Sequence, residues 1–281
     1  MKRREFLKLA AAGTLGAALP GCDSKWFNLI GDGEEKFWGL NVHPYGGQTD
    51  QMQIRALQEL GITKIRITLG LGRDLAGPYL NSYPAEYLGL ISDFNLGRPS
   101  AAAWPGQVRE AVSRSGGVTY FQVLNEPDVF HDIGPEVYVQ DFLRPAYRII
   151  REMRPDIPIV SAAPANTSGG RFYFFKMTEA GADDYCDYRG VHMYSSNPEV
   201  YLAGTDRPFM VTETGTRNRS RHVSWWQDDM PNISKVLDTD KLYLYVLLDR
   251  PDDGLSLIAS TPDGNGNPRP ISPLYDYIRN L

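Results

Sequence analysis

Two stretches decide the fold of this chain: VLNEP at residues 123–127 and FMVTETG at residues 209–215. Each is an apolar run that reaches a glutamate, Glu126 or Glu213, and is followed by a chain-turning residue. This pattern is typical of a buried parallel strand that presents one carboxylate at its C-terminal end. Two carboxylates at the same face of a barrel form a plausible acid and nucleophile pair for cleaving a glycosidic bond.

Apolar runs alternate with amphipathic segments on both sides of these stretches. The runs that we predict as strands are residues 37–42, 62–69, 87–92, 118–124, 157–162, 188–192, 209–213 and 242–248. The segments that we predict as helices are residues 50–60, 107–113, 136–153, 172–179, 272–280 and part of 223–237. Pro145 is expected to kink the longest of these helices.

Strands and helices alternating at this spacing imply right-handed crossovers and a parallel sheet. Eight such units in about 260 residues favour a closed barrel over an open sheet. We therefore predict an α/β fold, a single (β/α)8 TIM barrel over residues 36–281. Only 16 residues separate the sixth strand from the seventh, so the sixth helix should be short or abbreviated.

The first 22 residues have the pattern of an export signal. Arg3 and Arg4 precede an Ala/Gly/Leu-rich stretch that is too short to span a bilayer, and the arginine pair resembles a twin-arginine signal. Residues 19–22 (LPGC) resemble a lipobox that ends at Cys22; an ordinary cleaved signal with an incidental cysteine is the alternative. We expect export to the cell envelope as a lipoprotein anchored on the periplasmic side, or secretion, with a linker at residues 23–35.

Composition limits the partners. The net charge of −5 and the absence of a Lys/Arg block beyond the leader argue against nucleic acid as a partner.

Cys186 is the only cysteine besides Cys22, so acylation of Cys22 would leave no intramolecular disulfide, and we expect Cys186 to be buried and unreactive. The four histidines lack metal-ligand spacing and no glycine-rich phosphate loop is visible, so we predict no metal and no cofactor. We expect a monomer.

The order of the motifs resembles clan A glycoside hydrolases. The NEP sequence at residues 125–127 ends the fourth strand, and Thr212-Glu213 ends the seventh. Arg66 on the second strand and the HMY sequence at residues 192–194 fit the same pattern. The resemblance spans essentially all of residues 36–281. It implies a retaining β-glycosidase that acts on a poly- or oligosaccharide by double displacement.

The resemblance also implies roles for particular residues. Glu126 would be the acid/base and Glu213 the nucleophile, and Asn125 would bind the sugar 2-hydroxyl. Arg66 and Tyr194 would hold Glu213 ionised and oriented. A structural ion pair for Arg66 and rim packing for Tyr194 are the alternatives.

The remaining candidates are open between substrate binding and packing. They are His43 after the first strand, His192 on the sixth, the rim residues Asn41 and Asp93, and Trp104 in the third loop. For Trp225 and Trp226 we favour core packing over a sugar platform.

One feature departs from the resemblance. Clan A enzymes often carry a tryptophan at the end of the eighth strand, but residues 246–249 (VLLD) contain none. Two rivals to a hydrolase stay open: a non-catalytic glycan-binding lipoprotein on the same scaffold, and a transglycosylase that uses the same glutamate pair.

Overall fold

The computed structural model describes residues 38–92, 97–195, 197–249 and 253–281. The predicted export signal at residues 1–22 with Cys22, the linker at residues 23–35 and the rim candidate Asp93 lie outside the described residues.

The described residues form a barrel of eight parallel strands, as predicted. The strands are β1 (Trp38–Val42), β2 (Lys64–Thr68), β3 (Glu86–Ile91), β4 (Tyr120–Val123), β5 (Ile159–Val160), β6 (Arg189–Met193), β7 (Phe209–Thr214) and β8 (Leu242–Leu244). Their spatial order is β5-β4-β3-β2-β1-β8-β7-β6, and a parallel bridge between Val160 and Tyr188 joins the two ends. All strands therefore point their C-terminal ends toward one mouth.

Helices connect the strands on the outside. They are α1 (Gly47–Glu59), α2 (Gly77–Leu80), α3 (Trp104–Arg114), α4 (Pro135–Val137, Tyr138–Leu143 and Arg144–Met153), α5 (Ser168–Glu179), α6 (His222–Ser224, Trp225–Asp229 and Met230–Leu237) and α7 (Pro273–Arg279). Between β6 and β7 the described residues contain only the short 3-10 turn Pro198–Tyr201, which confirms the predicted abbreviation.

The helix α4 accommodates Pro145 through a change of helical type. Its middle part, Tyr138–Leu143, is a π-helix, and the Arg144 N–H bonds the carbonyl of Val139, five residues earlier. A proline has no N–H to donate and its ring crowds the preceding turn. The wider turns just before Pro145 relieve that crowding.

Apolar side chains fill the space between sheet and helices and the lower barrel. Leu88, Val160, Met210 and Tyr243 form a separate buried cluster. Trp225 and Trp226 are buried in the main core, as expected. Cys186 is buried as well, and burial raises the pKa of its thiol to about 12. No helix within the described ranges has the length and apolarity that crossing a bilayer requires.

Candidate active site

Glu126 and Glu213 both emerge at the C-terminal mouth. Glu213 lies within β7, and Glu126 follows the end of β4 by three residues. The chain between β4 and the catalytic candidate turns sharply, because Leu124 (φ 62°) and Glu126 (φ 39°) adopt left-handed backbone conformations that are rare for non-glycine residues. The Glu126 N–H donates to the carbonyl of Ala163 at 3.1 Å, which fixes this turn against the loop after β5.

His192 on β6 lies between the two glutamates. Its Nδ1 is 2.8 Å from Oε1 of Glu126, and its Nε2 is 3.4 Å from Oε1 of Glu213. The imidazole is fully buried, so these contacts are shielded from solvent. One side-chain oxygen of Glu126 and one of Glu213 lie within 4.8 Å of each other. The two carboxylates thus converge, although their positions are far apart in the sequence.

Arg66 on β2 organises the floor of the site. Its Nη1 donates to Oε1 of Glu213 at 2.8 Å and to Oδ1 of Asn41 at 2.6 Å. Its Nη2 donates to Oδ1 of Asn125 at 2.6 Å, and its Nε donates to Oε1 of Gln122 at 2.7 Å. A buried guanidinium needs such partners to offset its lost hydration. Arg66 therefore ties Glu213 and Asn125 to three strands of the barrel.

The surroundings of Glu213 favour its ionised form. Burial by itself disfavours the charge, but His192, the Arg66 guanidinium and the Tyr194 hydroxyl outweigh it and lower the pKa of Glu213. The Tyr194 hydroxyl donates to Oε2 at 2.7 Å, so both carboxylate oxygens accept charge-assisted hydrogen bonds. A carboxylate held in this way is suited to act as a nucleophile.

Tyr194 is itself held in place. Its backbone N–H donates to Oδ1 of Asn166 at 3.3 Å, and the Asn166 amide donates to the carbonyl of His192 at 2.9 Å. Burial and the charge of Glu213 keep the pKa of the Tyr194 hydroxyl well above its ordinary value, so it stays a donor. Sequence reasoning missed Asn166, and it also missed Gln122; neither stands beside a recognisable motif.

A second polar group lies on the β1 and β8 side of the mouth. The Tyr245 hydroxyl is 3.0 Å from Nε2 of His43 and donates to Asp249 at 3.1 Å. The Tyr45 hydroxyl also donates to Asp249, at 3.3 Å. Burial, partly offset by Asp249, lowers the pKa of His43, which favours a neutral imidazole.

Tyr245 occupies the place that sequence reasoning found empty. Clan A enzymes often carry a tryptophan at the end of the eighth strand, and residues 246–249 were expected to be that end. However, β8 ends at Leu244, so Tyr245 is the first residue beyond the strand. Its ring lines the cleft and lies edge-on to Tyr194, with centroids 6.3 Å apart.

A cleft of about 920 Å³ opens above these residues. Asn125, Glu126, Tyr194 and Glu213 line it, and His43 lines its β1 side. Asn41, Arg66 and His192 are buried and do not line it. Arg66 and His192 contact the glutamates, whereas Asn41 contacts Arg66.

Trp104 is not a sugar platform, one of the two roles left open for it from the sequence. The indole has no exposed surface, donates from Nε1 to the carbonyl of Phe142 at 2.8 Å and packs edge-on against the Phe142 ring. A stacking platform must offer one ring face to the ligand, so Trp104 is a core residue, the alternative left open from the sequence.

Glu126, His192 and Glu213 also have the donor types of a metal site. Their ligand atoms lie within 4.8 Å of one another. However, both Glu213 oxygens already accept hydrogen bonds, from Arg66 and from Tyr194, and the charge of the guanidinium opposes a second cation beside it. The arrangement therefore fits two carboxyl groups that act on a substrate, Glu126 and Glu213, better than a metal centre.

Solved structures share this fold, whereas no family model and no curated protein sequence matches the chain. β-Glucuronidase 2 of Bacteroides uniformis, covalently bound to cyclophellitol-6-carboxylate aziridine, is 12% identical with a TM-score of 0.64. A GH2 β-galacturonidase of Eisenbergiella tayi bound to galacturonate is 14% identical with a TM-score of 0.57. A GH128 (subgroup VI) exo-β-1,3-glucanase of Aureobasidium namibiae is 14% identical with a TM-score of 0.53.

These likenesses cover 87%, 86% and 82% of this chain. The chain spans only 35% of the glucuronidase and 50% of the galacturonidase, but it spans 92% of the glucanase. All three neighbours are glycoside hydrolases. Because the sequence identities are low, the likeness establishes the barrel fold, and the activity has to be argued from the residues of this chain.

Proposed function

We propose that this chain is a retaining glycoside hydrolase that cleaves β-glycosidic bonds in a poly- or oligosaccharide. The observation that carries the proposal is the approach of Glu126 and Glu213 to within 4.8 Å at the mouth of the barrel. Carboxyl groups about 5–5.5 Å apart are typical of retaining enzymes, whereas inverting enzymes need about 6.5–9.5 Å to admit a water. Their placement after the fourth strand and on the seventh supports membership of clan A.

In the first step Glu213 attacks the anomeric carbon while Glu126 donates its proton to the glycosidic oxygen. The bond between that carbon and that oxygen breaks, the leaving sugar departs as an alcohol, and a glycosyl ester forms on Glu213. In the second step the Glu126 carboxylate takes a proton from water, whose oxygen attacks the same carbon and releases Glu213. Two inversions give net retention.

Asn125 is oriented to bind the sugar. Its Oδ1 accepts from Arg66, which has no acceptor to offer, so the assignment of oxygen and nitrogen is fixed. The Nδ2 group is therefore left as a donor, and Asn125 lines the cleft. A hydrogen bond from it to the 2-hydroxyl would strengthen as the oxocarbenium-like transition state forms.

The mechanism is tested by trapping and by product stereochemistry. In a panel of 2-deoxy-2-fluoro-β-glycosides, at least one sugar should inactivate the enzyme. Peptide mass spectrometry should then place the label on Glu213. Proton NMR of early products from a β-glucan panel should show the β-anomer first. An α-anomer at early times, or a label on another residue, contradicts the proposal.

We also propose that residues 1–22 direct export and that acylated Cys22 anchors the protein to the membrane on its periplasmic side. The support is the sequence pattern. In a bacterial host the wild type should partition with the membrane fraction, and Cys22→Ala should be soluble. Cys186→Ala is the matched control and should stay with the membrane. A membrane-bound Cys22→Ala protein contradicts the anchor.

A further inference from the structure

Few large hydrophobic side chains of the described residues are exposed. They are Tyr45, Val129, Phe130, Val137, Phe172 and Leu281. Only Tyr45 and Phe130 among them also line the cleft. Phe130 is 52% exposed, so it presents apolar surface at the cleft that a ligand could cover.

Phe130 is held close to the proposed acid/base. Its backbone N–H donates to the carbonyl of Glu126 at 2.9 Å, so the two residues belong to one turn. The Ile133 N–H closes the next turn on Pro127 at 3.0 Å. Asp128 accepts the Ala165 N–H through both carboxylate oxygens, at 3.2 and 3.3 Å. These bonds anchor the backbone of the segment from which the ring projects.

The side of the cleft that carries the acid/base is also the side of the leaving group. Glu126 must reach the glycosidic oxygen, so the first ring of the leaving group lies against the segment that follows Glu126. A pyranose has an apolar face of C–H groups, and an exposed phenyl ring is a surface on which such a face packs.

The opposite side of the mouth has a different chemistry. Tyr45 follows β1 and Tyr245 follows β8, three and four strands from β4 in the sheet order. Both hydroxyls donate to Asp249, so this side offers hydrogen-bonding groups. The cleft therefore offers hydroxyl and carboxylate groups beside β1 and β8, and an exposed phenyl ring beside Glu126.

We infer that Phe130 is the platform of a leaving-group subsite that binds a sugar ring through its apolar face. The inference rests on the proposed function and adds the class of the leaving group: a glycosyl unit, recognised by stacking. Stacking tolerates changes of hydroxyl configuration. The enzyme should therefore be less specific for the leaving sugar than for the sugar that becomes bound to Glu213.

The test compares two leaving groups on Phe130→Ala. The substrates are β-linked trisaccharides (laminaritriose, cellotriose, mannotriose and xylotriose) and the β-glycosyl fluoride of each sugar. Fluoride is too small to reach the platform. The variant should lose about tenfold in kcat/KM on the trisaccharide that the wild type cleaves, mostly through KM, and less than twofold on the fluoride. Phe130→Trp should restore trisaccharide cleavage.

Phe172→Ala is the matched control, because Phe172 is 65% exposed and lies outside the cleft lining. It should leave both substrates unaffected. Unchanged trisaccharide cleavage by Phe130→Ala overturns the inference, and so does an equal loss on both substrates. A wild type that cleaves the fluoride but none of the trisaccharides overturns it too. A wild type inactive on every fluoride and trisaccharide refutes the proposed function itself.

Discussion

The Nη1 atom of Arg66 lies 2.8 Å from Oε1 of Glu213, and both side chains are almost completely buried. An isolated buried carboxylate would take up a proton. His192, the guanidinium and the Tyr194 hydroxyl together prevent this. The hydrogen bonds of Arg66 to Asn41, Asn125 and Gln122 hold the guanidinium in place. The pair therefore holds a charged carboxylate at a fixed position.

Removing the nucleophile should abolish turnover. Glu213→Ala is expected to lower kcat by at least about 10⁴-fold, because no other group can form the glycosyl ester. Sodium azide should restore activity with an activated β-glycoside and give the α-glycosyl azide. The control Glu179→Gln removes an exposed carboxylate and should match the wild type. Parental activity in Glu213→Ala would refute the assignment.

Removing the acid/base should depend on the leaving group. Glu126→Gln is expected to slow trisaccharide cleavage by about 10²–10⁴-fold, since a poor leaving group needs a proton. The first step with a glycosyl fluoride should be nearly unaffected, as measured by the burst of fluoride release. Added azide should give the β-glycosyl azide. Equal losses for both leaving groups would show that Glu126 is not the acid.

Loss of Arg66 should change the pH profile. In Arg66→Met the pKa of Glu213 should rise, because a cation that lowers it is gone. The nucleophile must be ionised, so the acidic limb of kcat/KM against pH should move to higher pH. Chemical denaturation should show a loss of about 3–5 kcal/mol in the free energy of unfolding. Arg109→Met breaks an exposed pair with Glu152 and should do neither.

The same carboxylate should make stability depend on acid. The pKa of Glu213 is lower in the folded protein than its ordinary value, so on acidification the unfolded chain binds the proton first. Its contribution to stability is thus present above the ordinary carboxyl pKa and lost as pH falls through the lowered value. Urea unfolding between these two values should show a shallower slope against pH for Glu213→Gln. An unchanged slope contradicts the lowered pKa.

Trp104 should matter for stability and not for binding. Trp104→Phe removes the hydrogen bond to Phe142 and part of the buried ring, so the free energy of unfolding should fall by about 1–3 kcal/mol. The KM for the trisaccharide should stay the same. A raised KM with unchanged stability would restore the platform interpretation.

The barrel and the two glutamates could be predicted because burial leaves a pattern in the sequence. Parallel strands are covered on both faces, so they appear as apolar runs, and a glutamate at the end of such a run stands out. Arg66 was recognisable for the same reason, as a charge between two isoleucines.

The ends of elements were less predictable. Residues 246–248 are buried without belonging to β8, so their apolar run extended the predicted strand and concealed Tyr245. Trp104 was placed in the third loop because the predicted helix began at residue 107, yet a proline fits the first turn of a helix, and α3 begins at Trp104. The positions of Gln122 and Asn166 in the site follow from contacts between distant segments of the chain, and a local sequence pattern does not reveal such contacts.

Leu124 combines two demands that conflict. Its left-handed backbone suits glycine, while its side chain is completely buried and suits only an apolar residue. Glycine would ease the turn and empty the space below it; a β-branched residue would fill the space and resist the turn. Attempts to raise the thermal stability of the protein should therefore leave Leu124 unchanged, because a more flexible backbone at this position would let Glu126 move.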